Sequence, residues 1–502
     1  MAKALVFDRV DFSYETLATP LFQSLSFHLT SGWTGIVGAN GIGKTTLLKL
    51  SAGLLSPDAG HLRRPEAAAY SSQRTENRPE GLLDFLESYD RDAAVLRDRL
   101  EIGEHYHRQW FNLSHGERKR TQIAEVLWRQ PVLLAMDEPT NHLDLYATRL
   151  ISSALQAYSG IGMLVSHDRE LLDALCRQCL FLDSRGIHIR PGGVTKGKRI
   201  LDAEAAAEDR KYRLKKQESR RLKKEINHRK SKAADADKKR SKKGLALKDH
   251  DARAKKDAAR LTGKDGKAGV LQRQLSGRLR IAEKELSALR YQKETASGIW
   301  IKGEFSPKNA ILTLVDGSLS LGPAGKLFYP DLSIAPADRI ALTGQNGFGK
   351  STFLKHIVRF LSVSGDRVMF LPQEIDAQTA RNTQMDAHRL TGEELGRLMT
   401  IVSRLGSAPR RLLDSRQPSP GETRKLMLAM GMLREPHIIM MDEPTNHMDL
   451  LSIECLEAAL AECPCCLLLV SHDVRFLNHL TNKKWMIEPH PSIGESYCLI
   501  ET

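Results

Sequence analysis

The chain has 502 residues, 41% of them hydrophobic and 27% charged, with a net charge of +14. That length allows more than one buried core, and no apolar run approaches the roughly 18–20 residues of a membrane-spanning helix; Cys465–Val470 is among the longest. The opening MAKALVFDRVDF has no basic stretch leading into a long apolar one, so no secretory signal is expected. Seven cysteines, an odd number, suit a reducing cytoplasm.

Residues 1–195 alternate short apolar runs with helical stretches, as α/β sheets do. WTGIV (Trp33–Val37) reads as a strand and TTLLKLSAG (Thr45–Gly53) as a helix, with GANGIGKT (Gly38–Thr45) between them. Gly, four residues, then Gly-Lys-Thr is a P-loop, and its strand-to-helix setting makes the match specific. Gly38, Gly41 and Gly43 let successive N–H groups curl round a phosphate at a helix N-terminus. Lys44 neutralises phosphate oxygens there, and the Thr45 hydroxyl is a candidate Mg²⁺ ligand. VLLAMDE (Val132–Glu138) is an apolar strand ending in two acids, an arrangement that is costly to bury unless it serves a cation or a proton transfer. Asp137 is the candidate metal carboxylate and Glu138 the candidate base for an attacking water. Cys176–Cys179, and later Cys463–Cys466, have CxxC spacing but no neighbouring ligands. Buried thiols are expected rather than zinc.

From Lys196 onward the composition changes. Residues 196–295 hold 33 basic against 15 acidic residues, an excess of +18, which leaves the remainder of the chain at −4. Such localisation points to a polyanionic partner for this segment alone. Ala203–Lys230 is rich in helix formers without Gly or Pro, and Leu271, Leu275, Leu279, Leu286 and Leu289 recur at helical spacing. Between them Gly244, Gly263, Gly266 and Gly269 read as breakers. A helical hairpin with a basic, irregular tip is expected, against a solvated or disordered linker.

The second α/β region, from about residue 299 to 502, repeats the first. MDEPTNHLD (Met136–Asp144) returns as MDEPTNHMD (Met441–Asp449) and LVSHD (Leu164–Asp168) as LVSHD (Leu469–Asp473), both 305 positions on. GQNGFGKST (Gly344–Thr352) repeats the P-loop at an offset of 306, and LSHGERKR (Leu113–Arg120) has the looser partner PSPGETRK (Pro418–Lys425). Four matches in one order at offsets of 305 or 306 indicate a tandem duplication, far too long a period for a solenoid. The second copy supplies Gly344, Gly347, Gly349, Lys350, Ser351, Asp442 and Glu443 in the same candidate roles.

LSHGE shortly before the acidic strand makes both α/β regions resemble the ATP-binding cassette superfamily. The resemblance implies an α/β fold of two tandem P-loop ATP-binding cassette domains joined by a basic α-helical hairpin insert, with boundaries at 1–195, 196–298 and 299–502. It further implies that the cassettes pair head to tail within one monomer, each ATP lying between one P-loop and the other cassette's signature. Ser114, Gly116 and Glu117 are then expected at the second site, and Ser419, Gly421 and Glu422 at the first. Asn40, Thr46, Asn346 and Thr352 belong to the P-loops. Gln73 and Gln373 match the glutamine that senses Mg²⁺ and water. Asp144 and Asp449 end the loops that cross the interface, and His167 and His472 match the switch histidine on the γ-phosphate. Tyr14 sits where an aromatic stacks on adenine. The implied Mg²⁺ set is Thr45, Gln73 and Asp137, with Ser351, Gln373 and Asp442 in the second copy. Two departures stand out: Pro418 and Pro420 in the second signature, and Leu319 near the place of Tyr14.

Tandem cassettes of this length also serve sugar importers as the ATPase subunit. The stretches from Gln73 to Ser114 and from Gln373 to Ser419 span only 41 and 46 residues, the signatures end in Gly-Glu, and an importer has no use for a +18 insert. A DNA-repair or chromosome-structure ATPase with the same cassettes lacks support, because the sequence has no zinc-ligand clusters and no long heptad coiled coil. Insert, signatures and DEPTNHLD together resemble the ABC-F family of cytosolic, ribosome-associated ATPases. That resemblance implies a hairpin entering the ribosomal E site with its tip near the P-site tRNA. The expected RNA contacts are Lys239, Arg240, Lys242, Lys243, Lys248, Arg253, Lys255, Lys256, Lys264 and Lys267. They are expected to act through phosphates, since Tyr212 and Tyr291 are the segment's only aromatics.

Overall fold

The computed structural model describes residues 4–15, 19–183, 186–240, 264–288, 301, 303–322, 325–407, 409–414, 419–493 and 496–501. In the first α/β region the strand Gly32–Gly38 lies inside a six-stranded sheet. The order is Ala68–Ser71, Leu133–Asp137, Ile161–Val165, Gly32–Gly38, Cys176–Asp183, Gly186–Pro191, parallel except for the last pair. LLAMD and IGMLV are buried at every position, as parallel strands covered on both faces must be. A separate antiparallel sheet of Phe22–Leu29, Leu5–Phe12 and Ala59–Arg63 flanks it.

The second region repeats this order with Val368–Leu371, Ile438–Asp442, Cys466–Val470, Arg339–Thr343, Lys483–Pro489 and Ser496–Glu501. Here Lys326–Tyr329 pairs in parallel with Ser496–Glu501, and Gly317–Ser320 follows it, extending the sheet to eight strands. In both regions the P-loop strand is flanked on one side by the strand that leads into Ser-His-Asp and on the other by the strand that follows that one in sequence. The loop therefore opens at the carboxyl edge of the sheet, where ligands of such sheets bind. Leu450 of the second region is buried among first-region core residues such as Leu143 and Leu155. The thiols of Cys176, Cys179, Cys463, Cys465 and Cys466 are buried, as expected. Among the described residues no three His, Cys, Asp or Glu converge as a metal site, and no helix is long and apolar enough to cross a membrane.

Both α/β regions, Met1–Gly197 and Thr295–Thr502, form one compact unit, and Lys198–Glu294 forms another. The second unit holds most of a 47-residue helix, Val194–Arg240, and the helix Lys264–Ala288. They pack antiparallel through Leu222, Ile226, Leu275 and Ala282, with Leu279 at the margin, and through Lys215–Glu285 at 2.8 Å and Lys223–Glu283 at 2.9 Å. Two expectations need correction. Gly266 and Gly269 do not break the chain but lie inside the second helix; an isolated glycine costs only about 1 kcal/mol against alanine, which strong helix formers on either side outweigh. Ala282, which is not one of the spaced leucines, joins Leu275 in the buried stripe, while Leu279 lies only at its margin. Gly244, Gly263, Leu289 and the tip residues Lys242, Lys243, Lys248, Arg253, Lys255 and Lys256 lie outside the described residues, as do the side chains of Lys239, Arg240, Lys264, Lys267 and Leu271.

Candidate functional site

Each P-loop leads into a helix, Lys44–Ala52 and Lys350–Val358. Gly43 has a φ of 108°, and a Cβ there would stand 2.7 Å from the Phe22 ring. Gly349 has a φ of 90° and meets Leu321 in the same way. Only glycine meets both constraints. Lys44 lies along its loop, its Nζ donating to the carbonyls of Gly38 at 2.8 Å and Ala39 at 3.2 Å. Lys350 does the same to Gly344 at 2.7 Å and Gln345 at 2.9 Å. Burial lowers both lysine pKa values, opposed by nearby carboxylates, Glu138 foremost at Lys44 and Glu443 at Lys350.

The acidic strands end beside these loops. The Thr45 hydroxyl donates to Asp137 Oδ2 at 2.8 Å, and Ser351 donates to Gln373 Oε1 at 3.2 Å. Glu138 and Glu443 sit at φ values of 47° and 49°, a left-handed conformation that is unfavourable for a residue with a side chain. It is held because each amide donates to the neighbouring strand, Glu138 to Val165 O at 2.9 Å and Glu443 to Val470 O at 2.8 Å. Burial pushes the Glu138 carboxyl up to about 7 and the Glu443 carboxyl up to about 8, against the pull of Lys44 and Lys350. Burial also takes His167 down to about 3 and His472 to about 4. The 3.2 Å and 3.3 Å approaches of these histidines to Glu138 and Glu443 are therefore contacts of neutral imidazoles, not ion pairs. Each pair faces the P-loop of its own cassette, which suits proton transfer at neutral pH.

The two regions reach into each other. Asp449 caps its own helix through Oδ1, accepting from Ser452 N at 2.9 Å, while Oδ2 accepts from the backbone N of Asn40 at 3.0 Å. Asp144 caps Ala147 at 2.9 Å and accepts from Asn346 N at 3.3 Å. Asn40 and Asn346 also donate to His447 O and His142 O across the boundary, at 3.0 Å and 3.4 Å. A cavity of about 560 Å³ joins Tyr14, Lys44, Thr45, Gln73, Asp137, Glu138 and His167 to Ser419, Pro420 and Gly421 of the other region. The cleft at Lys350, about 630 Å³, is lined instead by Asp144, Tyr146 and Arg149 from the first region, without Ser114 or Gly116.

Both signatures begin helices with a capping box. Ser114 accepts from Glu117 N at 3.2 Å and Glu117 Oε2 accepts from Ser114 N at 2.8 Å; Ser419 and Glu422 do the same at 3.3 Å and 2.9 Å. This gives the glutamates of the two signatures a local purpose, since each fills two otherwise unpaired helix-end positions. Pro420 falls at the first helical position, where its missing N–H and fixed φ cost nothing. Pro418 lies outside the described residues. A Cβ on Gly421 would meet His447 O at 2.7 Å, whereas one on Gly116 would find nothing nearer than Leu143 at 3.5 Å. We expect Gly421→Ala to lower ATP turnover about tenfold or more, because a backbone carbonyl cannot step aside as a side chain can. The loss should exceed that of Gly116→Ala; equal losses in a steady-state assay would contradict this geometry.

Several residues of the cleft were not anticipated from sequence. Lys119 and Arg424, 1% and 2% exposed, hold the glutamine loops from behind. Lys119 Nζ donates to Ser72 O, and Arg424 donates to Pro372 O and Gln373 O, each at 2.7 Å, and to Glu443 O. Their shared offset of 305 was the available signal. Tyr70 donates to Asp137 Oδ2 at 3.2 Å, a bond that Phe370, three residues before Gln373, cannot make. Tyr14 and Thr46 place their hydroxyls 3.0 Å apart, while Leu319 packs at the margin of the second core.

Fold and cleft together are those of paired P-loop nucleotide-binding domains. The family described as ABC transporter matches residues 22–141 and 329–446. Tylosin resistance ATP-binding protein TlrC of Streptomyces fradiae is 30% identical over 521 residues, covering 89% of this chain and 90% of that protein. Ribosome protection protein VmlR of Bacillus subtilis (strain 168) is 27% identical over 489 residues, covering 95% and 85%. Among solved structures, the RNase-L Inhibitor shares the fold, with a TM-score of 0.61 at 18% identity over 98% of this chain and 90% of that one. The chain belongs to the ATP-binding cassette family, in the ABC-F group that lacks transmembrane domains. ATP binding and hydrolysis come with that membership.

Proposed function

We propose that this chain is a cytoplasmic ATPase that acts on the ribosome, using its helical insert in the E site toward the P-site tRNA to modulate translation, relieve stalling or protect against antibiotics. The observation that carries it is the +18 charge confined to the insert between two cassettes that together are slightly acidic. Relatives named for ribosome protection and tylosin resistance support the same reading.

At each cleft the P-loop amides and Lys44 or Lys350 bind the phosphates, and Glu138 or Glu443 takes the proton of the attacking water, with His167 or His472 beside it. Ser419 and Gly421 cap the γ-phosphate at the first cleft, while Ser114 and Gly116 must close onto the second, whose lining they do not join. The residues fit Mg²⁺. All candidate donors are oxygens, and Asp442 Oδ1 is buried with no hydrogen-bond partner among the described residues. Thr45, Gln73 and Asp137, or Ser351, Gln373 and Asp442, would hold the ion, which would supply charge neutralisation for the phosphate oxygens.

Phosphate-dominated RNA binding releases counterions, so affinity should fall steeply with salt, and each lost contact should flatten the slope by roughly one unit or less. Replacing Lys242, Lys243, Lys255 and Lys256 with alanine is expected to weaken ribosome binding and shrink that slope, while ATPase activity of the free protein survives. An unchanged affinity and slope, measured by co-sedimentation at several salt concentrations, would remove the RNA-contact role from this tip. Recovery with a membrane permease instead of ribosomes would favour the importer subunit.

A further inference from the structure

The helix Val194–Arg240 starts within the cassette unit, and its first turn is tied to both cassettes. Val194 is 1% exposed in the first cassette's core. Thr195 donates from its backbone N to Asp173 Oδ1 at 2.9 Å and from its hydroxyl to Asp173 Oδ2 at 2.5 Å. A Cβ on the preceding Gly193 would stand 2.3 Å from Asp173 Oδ1, so the approach depends on glycine there. From the second cassette Arg475 NH1 donates to the Thr195 hydroxyl and NH2 to Asp173 Oδ2, both at 2.8 Å. One guanidinium fork thus bridges the second cassette to the helix root and to the element on which that root rests.

The positions of these residues matter more than their number. Asp173 lies on the helix Arg169–Leu175, which follows His167; Arg475 lies on Val474–Leu480, which follows His472. A second crossing joins the same two helix starts, with Arg169 donating to Glu457 at 2.9 Å and pairing with Asp473 at 3.2 Å. Asp473 caps Val474–Leu480 and is the immediate neighbour of His472. Any shift of one histidine loop against the other must strain or break the fork on Arg475. Asp173 and Arg475 are partly exposed, at 23% and 37%, and an ion pair of that kind adds little to static stability. It can make and break as the interface moves, and charged hydrogen bonds with fixed direction report orientation well.

We infer that Arg475 is a positioning residue, which passes nucleotide-dependent pairing of the cassettes to the first helix of the insert through Asp173 and Thr195. This rests on reading the clefts as ATP sites but not on the ribosome as partner. Neither Arg475 nor Thr195 lines either cleft, so their part is in coupling, not in chemistry.

The test uses the full chain carrying Glu138→Gln and Glu443→Gln, with spin labels at Leu214→Cys in the insert and Val315→Cys in the second cassette. Both positions are well exposed, at 67% and 70%, and Cys498→Ser removes the one native cysteine that is not buried. The label-to-label distance is measured by pulsed EPR with ATP and with ADP, after nucleotide binding has been measured separately. The expected result is a distance that differs between the nucleotides, with the difference at least halved by Thr195→Val and by Arg475→Ala. In a parallel chain with both glutamates intact, the same two changes should leave basal hydrolysis within about twofold, since neither site loses a contact. Thr195→Val is the decisive variant because it keeps the Arg475–Asp173 pair. If that pair were interface glue only, this change would be silent, and the inference falls. It also falls if ATP binds but the distance does not respond in the parent. Failure of ATP to bind would overturn the nucleotide reading together with it, whereas absence of ribosome binding would touch only the proposed function.

Discussion

Replacing Glu138 and Glu443 together with glutamine is expected to leave ATP binding intact and to lower turnover by ~10²–10⁴-fold, the usual cost of losing a general base. Glutamine keeps the side-chain shape and can retain the amide contacts from His167 N and His472 N, each 3.2 Å from a glutamate oxygen, but it cannot accept the proton. The closed cassettes should then persist, and, if the proposed ribosomal role holds, a factor that works by cycling should stay on the ribosome. The same variant has a pH signature with a defined sign. Burial holds Glu138 and Glu443 up to about 7 and about 8, while glutamate in the unfolded chain titrates near ~4.3. Across that window the folded protein retains protons that the unfolded chain has released, so the two carboxyls cost stability as pH rises, fully so above their folded values. Glutamine bears no such cost. The double variant should therefore gain stability over the parent as pH rises from about 5 to about 8, by up to ~1.4 kcal/mol for each unit of displacement, and its melting temperature should rise accordingly. A gain that is flat or falls with pH, seen by scanning calorimetry, would show that these carboxyls are not held protonated. In the parent, turnover should decline as pH falls below about 7, because only the ionised carboxylate is a base.

Removing Lys44 and Lys350 should act one step earlier, on binding. Each is 8% exposed and bonded to carbonyls of its own loop, so the ammonium is already positioned where phosphate oxygens arrive. A charged hydrogen bond is worth ~1.5–3 kcal/mol, so Lys44→Ala with Lys350→Ala should weaken ATP binding about 10- to 100-fold at each cleft. Lys→Met at both positions keeps the apolar stem, which separates loss of charge from loss of packing. Titration with a fluorescent ATP analogue reads the affinity, and parental hydrolysis in either double variant would exclude both P-loops from the reaction.

The chemistry of each half was legible in the sequence because P-loop, acidic strand end and signature are short local motifs whose residue types follow from their bonding. The duplication was legible too, since the repeated stretches keep one spacing. The helical insert followed from composition and charge, but its extent did not. Gly266 and Gly269 carry a local preference against helix that the helix formers around them outweigh. The cross-boundary contacts of Asn40 with Asp449 and of Asn346 with Asp144 join residues 409 and 202 positions apart, and family resemblance, not periodicity, supplied that expectation. Other features existed only in three dimensions. Lys119 and Arg424 read as ordinary surface cations on a helix until the fold buries them against the glutamine loops. Tyr70 reads as a strand residue until Asp137 arrives from the neighbouring strand. Glu138 and Glu443 gain their raised carboxyl pKa from burial, a property of the assembled core and not of the Asp-Glu pair. The inequality of the two clefts likewise depends on where His447 O stands against Gly421. Sequence determines what depends on neighbours along the chain; the tertiary structure decides which distant groups share a low-dielectric space, and there both charge state and contact geometry are set.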